Sequence, residues 1–325
     1  MALVGAQGNE DEKMILSLPK ERGWGKAPYF YFFQNFWCPS ISLQGVHNFQ
    51  KYFQAKDNDV FVASFPKSGT TWLKALTFAI INCQHFESLV NHPLLTSNPH
   101  ELVPFLEFSL VGDVDEKIVK LSHMTEPRNF ATHLPFPSLP TSIKESNIRI
   151  IYICRNPFDT FVSGWHFFSI FMSESSHKIT IEEAFERFCN GVIGFGPWWS
   201  HVLGYWKESI TRPNKVLFLK YEDLKEDISF HVKRIADFLG CPFIEEEKGM
   251  MESIIKLCSF DKMKDLEVNK FGHHLKIIEN KHFFRKGEIG DWVNHFSPSM
   301  IEKLSKIIEE KLSGSGLSFK TQSSS

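Results

Sequence analysis

The 325-residue sequence contains no apolar run near the ~20 residues of a membrane-spanning helix, so no spanning segment is expected. It also lacks an excess of charge. Lys and Arg number 36 against 38 Asp and Glu, a formal net charge of −2, which lends nothing to a general nucleic-acid or membrane-surface role. Its six cysteines (Cys38, Cys83, Cys154, Cys189, Cys241 and Cys258) form no C-x-x-C pair and show no metal-ligand spacing. Free, small, buried thiols in a reducing, cytoplasmic setting are the simple expectation. The opening MALVGAQGNEDEK is acidic and has no charged-then-apolar signal pattern. Absent too is the string G-x-x-x-x-G-K-[ST] that binds a nucleoside triphosphate with Mg²⁺. Glu222 and Asp223 follow an apolar run, but suit a helix-approach loop better than a metal site. A metal-dependent phosphoryl transferase is therefore a weak fit, and no metal is expected.

What is present is ordinary globular material, 42% hydrophobic and 23% charged, with one bias: 32 Phe against 8 Trp and 6 Tyr. Most of these rings belong in a core; a surplus could line an apolar substrate pocket, with Phe136, Phe167 and Phe168 as candidate walls.

Three strand-then-helix units are legible. Val60, Phe61, Val62 and Ala63 read as a strand covered on both faces, followed by PKSGTT and the helical spacing of WLKALTFAIIN. IRIIYIC (148–154) leads through RNP into FDTFVSGWHFF. KVLFLK (215–220) leads through YEDLKED into ISFHVKRIADFLG. This alternation predicts an α/β fold with a central parallel sheet flanked by helices. Proline-rich segments, NHPLLTSNPHELVPF and THLPFPSLP, exclude long helices and read as loops shaping a substrate mouth. Residues 181–210 read as two helices broken at GVIGFGP, KHFFRKGEIGDW as an ordered loop, and PSMIEKLSKIIEEKL as a closing helix. PYFYFFQNFWCPS reads as an arm packed on the body. No repeat or linker is visible. Residues 1–17 are expected to be disordered, 18–320 to form one domain, and 321–325 to be a loose tail.

The first loop carries the chemistry. Parallel sheets place ligands at strand carboxyl ends against helix N-termini. In FPKSGTTWLKAL, Gly69 permits a tight turn, the hydroxyls of Ser68, Thr70 and Thr71 can donate to an anion, and Lys67 supplies charge. A hydroxyl-capped helix without a ligand would look similar. The lysine stands before the glycine, where a triphosphate loop has it after.

PKSGTTWLKAL and FRKGEIGDW resemble the two signature regions of the cytosolic sulfotransferases. THLPFPSLP, YICRNPFDTFVSGWHF, KYEDLKED and LCSFDKMKDLEVNK match the same family in the same order, over about residues 18–320. LPKERGW, SNPHELVPF, GVIGFGPWW and GSGLSF resemble its plant branch, nearest the hydroxyjasmonate sulfotransferases.

The resemblance implies transfer of a sulfuryl group from 3′-phosphoadenosine 5′-phosphosulfate (PAPS) to a small hydroxylated acceptor, without a metal. It implies a P-loop-like cradle in which Ser68, Gly69, Thr70 and Thr71 hold the phosphosulfate and Lys67 serves its bridging oxygen. His133 matches the general base, and Trp72 a ring stacked on adenine. Arg155, Ser163, Arg285, Lys286 and Gly287 match the 3′-phosphate site; Tyr221, Cys258 and Phe260 match adenine-side contacts. Taken alone, His133 would more often be structural, Arg155 could simply pair with Asp159, and Arg-Lys-Gly is usually a solvated turn.

Two departures stand out. Many animal members carry a lysine where this chain has Ala131. The second signature reads GDWVNHFSPS, with Val293, Ser297 and Pro298, so the animal dimer motif that begins at residue 293 is not intact. Flavonoids and hydroxysteroids remain alternative acceptors, and a non-catalytic nucleotide-binding member an alternative role.

Overall fold

The computed structural model describes residues 17–24, 26–85, 89–172, 179–244, 248–275 and 278–320. Apart from Ser17, the N-terminal segment and tail expected to be loose lie outside the described residues.

Strand β1 (Lys20–Arg22), β2 (Tyr29–Phe33) and β3 (Phe36–Pro39) form an antiparallel sheet in that order. The aromatic arm is thus a hairpin. Gln34 and Asn35 turn it with φ of 49° and 66°, the left-handed pair that a two-residue hairpin requires. Phe30, Phe33 and Phe36 anchor the arm in the main core.

Four parallel strands form the central sheet: β4 (Val60–Ser64), β5 (Asn129–Thr132), β6 (Arg149–Cys154) and β7 (Val216–Lys220), in the order β5-β4-β6-β7. β4, β6 and β7 fall where the apolar runs predict them. β5 does not announce itself: it is four residues long and runs straight into the proline-rich segment read as loop. It pairs with β4 through Val60↔Asn129 to Ala63↔Thr132.

Alternation splits the strand side chains between two cores. Phe61, Ala63, Phe130, Ile150, Tyr152 and Phe218 face one side. Val60, Val62, Ala131, Ile151, Ile153, Leu217 and Leu219 face the other. The first side is covered by α1 (Leu43–Tyr52), α3 (Pro157–Ser169), α4 (Ile181–Cys189), α5 (Trp198–Thr211) and α8 (Pro298–Leu312); the second by α2 (Thr70–Ile81), α6 (Ile228–Leu239) and α7 (Lys248–Leu257). No helix among the described residues is long and apolar enough to cross a membrane.

The amino edge of the sheet is locked by charge. Arg128, just before β5, forks onto Asp59, just before β4, through Nε to Oδ1 at 2.7 Å and Nη2 to Oδ2 at 2.5 Å. Both side chains are buried. At the carboxyl edge the strand order reverses about β4 and β6. Such a reversal opens a crevice where open α/β sheets bind ligands.

Candidate active site

A cavity of about 690 Å³ lies at that carboxyl edge. Each strand of the parallel sheet delivers a residue to it: Lys67 after β4, His133 after β5, Arg155 after β6 and Tyr221 after β7. Of the fifteen residues matched to catalytic and nucleotide-binding positions, fourteen border it; Ser68 is the exception. Its side chain is fully buried, and among the described residues its hydroxyl has no partner. Among the described residues the cavity wall holds seven Lys and Arg and no Asp or Glu.

The loop between β4 and α2 is shaped by two left-handed residues, Lys67 at φ 68° and Gly69 at φ 103°. At Gly69 a Cβ would sit 2.7 Å from Cδ2 of Tyr221, so only glycine allows the approach. The left-handed backbone at Lys67 costs ~1–2 kcal/mol and is the kind of strain that collects at ligand sites. Behind it, the first N–H groups of α2 have no partners inside the helix. Lys67 places Nζ 3.8 Å from the centre of the Phe167 ring and has no carboxylate partner among the described residues. Burial, then the charges of Arg285 and Arg155, push its amine down to about 7. Thr70 Oγ1 lies 2.6 Å from Ser64 Oγ, and Thr71 Oγ1 lies 3.0 Å from His100 Nε2.

His133 is fixed at three points. Its backbone N–H donates to Glu107 Oε1 at 2.6 Å, and its carbonyl accepts from His201 Nε2 at 2.9 Å. Its ring Nδ1 is 2.8 Å from the Ser64 carbonyl. A carbonyl can only accept, so Nδ1 carries the hydrogen and Nε2 the lone pair. The rings of Phe105 and Phe195, at 4.4 and 5.5 Å, flank the imidazole. Burial pushes it down to about 3, with Lys74, His201 and Lys67 adding to the effect against the Ser64 hydrogen bond. It is therefore neutral and able to take a proton. Burial also lifts the Glu107 carboxyl to about 7, although His133 donates to it.

At the other end of the cavity Arg155 stacks over Tyr221, with its guanidinium carbon 4.7 Å from the ring centre. It meets Asp159 at 3.5 Å and donates to the Glu288 carbonyl, yet its buried Nε has no partner. The pairing with Asp159 that the sequence allowed is present, but Asp159 has a larger task. It accepts the N–H groups of Gly290 (2.8 Å) and Trp292 (3.2 Å), pinning the 285–292 loop to α3. In that loop Arg285 and Lys286 each lie 2.6 Å from Asp291. Burial alone would raise Asp291; the hydrogen bonds of Lys286, Arg285 and Asn294 together hold it well below the usual carboxylate range. Gly287 is left-handed at φ 68°, where a Cβ would meet Phe260 at 2.6 Å, and its carbonyl accepts from Tyr221 Oη at 2.9 Å. Ser163 reaches the same end from α3, two turns along the helix from Arg155.

Trp72 meets Tyr221 edge-on at 5.6 Å, and Phe260 and Cys258 complete a largely apolar wall. Burial pushes the Cys258 thiol well up, so it acts as a small apolar surface. Of the candidate acceptor walls, Phe167 and Phe168 border the cavity, whereas Phe136 packs edge-on against Tyr205 in the core. All six cysteines are free thiols.

Sequence reasoning missed His100, Phe105, Glu107 and Lys74. His100 and Phe105 lie in SNPHELVPF, read only as a mouth-shaping loop. The signal for Lys74 was a lone charge in the apolar run of α2. His166, Asp291 and His295 lie close enough to share a metal ion. Arg285 and Lys286 already occupy the Asp291 oxygens, so a cation there would face two fixed positive charges.

A cationic cavity at a strand reversal, a glycine-turned loop at a helix N-terminus and a neutral imidazole beside it define a group-transfer site for an anionic donor. Residues 57–316 match the sulfotransferase domain family. The chain is 53% identical over 316 residues to cytosolic sulfotransferase 15 of Arabidopsis thaliana, covering 96% of this chain and 87% of that protein. It is 51% identical over 318 residues to cytosolic sulfotransferase 14, covering 96% and 91%. Among solved structures it superposes on an Arabidopsis thaliana putative steroid sulphotransferase with a TM-score of 0.77 at 42% identity, covering 97% and 96% of the two chains. A mouse sulfotransferase complexed with PAP superposes with a TM-score of 0.67 at 27% identity, covering 87% and 94%. The chain belongs to the sulfotransferase family and is a sulfotransferase enzyme.

Proposed function

We propose that the protein moves a sulfuryl group from PAPS to the hydroxyl of a small, largely apolar acceptor, a hydroxyjasmonate before a flavonoid or a hydroxysteroid. The observation that carries the reading is Lys67, whose amine has no carboxylate partner among the described residues, on the wall of the same cavity as the neutral His133. His133 Nε2 takes the acceptor's proton as the new sulfur–oxygen bond forms. The bond from sulfur to the 5′-phosphate oxygen breaks, and that oxygen leaves with its electron pair as 3′-phosphoadenosine 5′-phosphate. Lys67 and the N–H groups of α2 oppose the charge that develops there, a task a metal would otherwise perform. Anionic charge in the cavity offsets the cations that depress His133, so the imidazole becomes a better base when the donor is bound.

Arg155, Ser163 and the Arg285–Gly287 turn hold the 3′-phosphate, with the unpartnered Arg155 Nε as one donor. Trp72, Tyr221, Cys258 and Phe260 hold the adenine. For the acceptor, Phe105, Phe108, Phe168 and Phe195 supply apolar walls, and Gly194 and Phe195 come from the GVIGFGPWW block that favours a hydroxyjasmonate. The similar structure described as a putative steroid sulphotransferase keeps a hydroxysteroid as the second reading. The relatives' names favour a cytosolic setting.

A panel of hydroxyjasmonate, flavonoids, hydroxysteroids and a simple phenol, incubated with ³⁵S-labelled PAPS and no divalent metal, tests this. Label is expected on the hydroxyjasmonate first. Label on none of them, with nucleotide still bound, would overturn the acceptor reading.

A further inference from the structure

Lys74 has no part in the chemistry above, yet α2 buries it completely. Its Nζ lies 3.0 Å from His100 Nδ1 and 3.2 Å from the centre of the Phe105 ring. Among the described residues no carboxylate comes within ion-pair distance of it. His100, 4% exposed, has its other nitrogen 3.0 Å from Thr71 Oγ1, and Thr71 borders the cavity one turn before Lys74 on α2. The imidazole is held in place. Its backbone N–H donates to Asn98 Oδ1 at 2.9 Å, Asn98 Nδ2 donates to Asn269 at 2.8 Å, and the Phe283 ring packs 4.3 Å away.

Hydrogen counting gives this chain a direction. Burial pushes the Lys74 amine well down, but as ammonium or amine it has hydrogens to give, and in that direction one of them goes to Nδ1 of His100, 3.0 Å away. Burial and the neighbouring cations push His100 well down, so its ring is neutral and has a single hydrogen, which must sit on Nε2. That hydrogen goes to Thr71 Oγ1. The hydroxyl's own hydrogen then has to point elsewhere, and the open side is the cavity. In the opposite tautomer the Thr71 hydrogen would be consumed by His100, and the hydroxyl would present only a lone pair to an anion.

We propose that Lys74 and His100 are positioning residues that aim the Thr71 hydroxyl hydrogen at the 5′ anionic group of the bound nucleotide. This rests on the nucleotide reading of the cavity. Lys74 does not border the cavity and His100 does so only at its edge, 4% exposed, so their effect runs through Thr71.

Titration calorimetry with 3′,5′-ADP on the full chain tests it without needing an acceptor. Lys74→Met, close in length and apolar like its surroundings, is expected to weaken binding about tenfold, the scale of one hydrogen bond to a charged group. In a Thr71→Val background, itself weaker by a similar factor, Lys74→Met should cost nothing more. His100→Gln keeps an N–H donor near the Nε2 position and should bind within about threefold of wild type, whereas His100→Leu should lose about tenfold. Equal losses from Lys74→Met in both backgrounds, or His100→Gln as weak as His100→Leu, would mean that the pair merely packs. The two His100 variants decide the matter by themselves if Lys74→Met does not fold. Wild type that fails to bind 3′,5′-ADP would overturn the nucleotide reading and the relay with it; wild type that binds while Lys74→Met is unchanged overturns the relay alone.

Discussion

The two edges of the parallel sheet treat buried charge in opposite ways. At the amino edge Arg128 and Asp59 satisfy one another through two short hydrogen bonds, and nothing is left for a ligand. At the carboxyl edge Lys67 has no carboxylate partner among the described residues, and Arg155, although 3.5 Å from Asp159, keeps a buried Nε without a partner. The first arrangement serves the fold, because an ion taken from water must be paired. The second withholds that pairing, and the charge is left for a bound anion to complete. The same element types, strand ends carrying one basic residue each, thus give a clamp at one end and a site at the other.

The largest expected effect lies at the unpaired edge. Lys67→Ala and His133→Ala should each lower turnover at saturating PAPS by about a hundredfold to ten-thousandfold, the range for a lost charge stabiliser or general base. Steady-state rates with labelled PAPS check this, and near-wild-type turnover removes that residue from the mechanism.

The paired edge should respond in stability. Arg128→Met strands Asp59 and should cost ~3–5 kcal/mol in urea unfolding, much of which the double variant Arg128→Met/Asp59→Asn should recover. Lys67→Met should not destabilise the ligand-free protein, since it removes a charge that has no carboxylate partner. A loss there as large as that of Arg128→Met would dissolve the contrast between the edges.

Arg155→Ala should weaken 3′,5′-ADP about tenfold to a hundredfold by calorimetry, with a smaller change in the acceptor KM. An unchanged nucleotide affinity would count against the 3′-phosphate assignment.

The smallest effect is a pH dependence. In the free protein Lys67 has its pKa lowered to about 7, and a bound anion raises it. Binding therefore takes up a proton above that pH. The affinity for 3′,5′-ADP should be constant in this respect below about pH 7 and fall as pH rises through it, by up to about tenfold per unit. Lys67→Met should lack that component; an identical pH profile in the variant would assign the effect to another group.

Legibility in the sequence followed locality. The strand β4, its loop and α2 are contiguous, so their periodicities and Gly69 announce the cradle. β6 with Arg155 and β7 with Tyr221 were readable for the same reason. β5 was not, because four residues ahead of a proline-rich stretch give no period to count, although His133 stands immediately after it. Ser68 stands in the string beside Thr70 and Thr71, but only the fold decides its exposure, and its hydroxyl is buried and, among the described residues, unpartnered. Phe136 could not be told from Phe167 and Phe168 by composition, because a ring on a cavity wall and a ring in the core satisfy the same burial rule.

By itself, then, the sequence determined the alternating α/β architecture and the glycine-turned loop, with its lysine and hydroxyls, at the start of α2. Strand and helix periods and turn glycines act between near neighbours, and motif spacing is read along the chain. The tertiary structure alone decided which charges stay unpaired, which nitrogen of His133 keeps its lone pair, and how Lys74, His100 and Thr71 line up. Those facts depend on groups brought together from distant parts of the chain, and only the strand order β5-β4-β6-β7 and the packing on its two faces put them within hydrogen-bond reach.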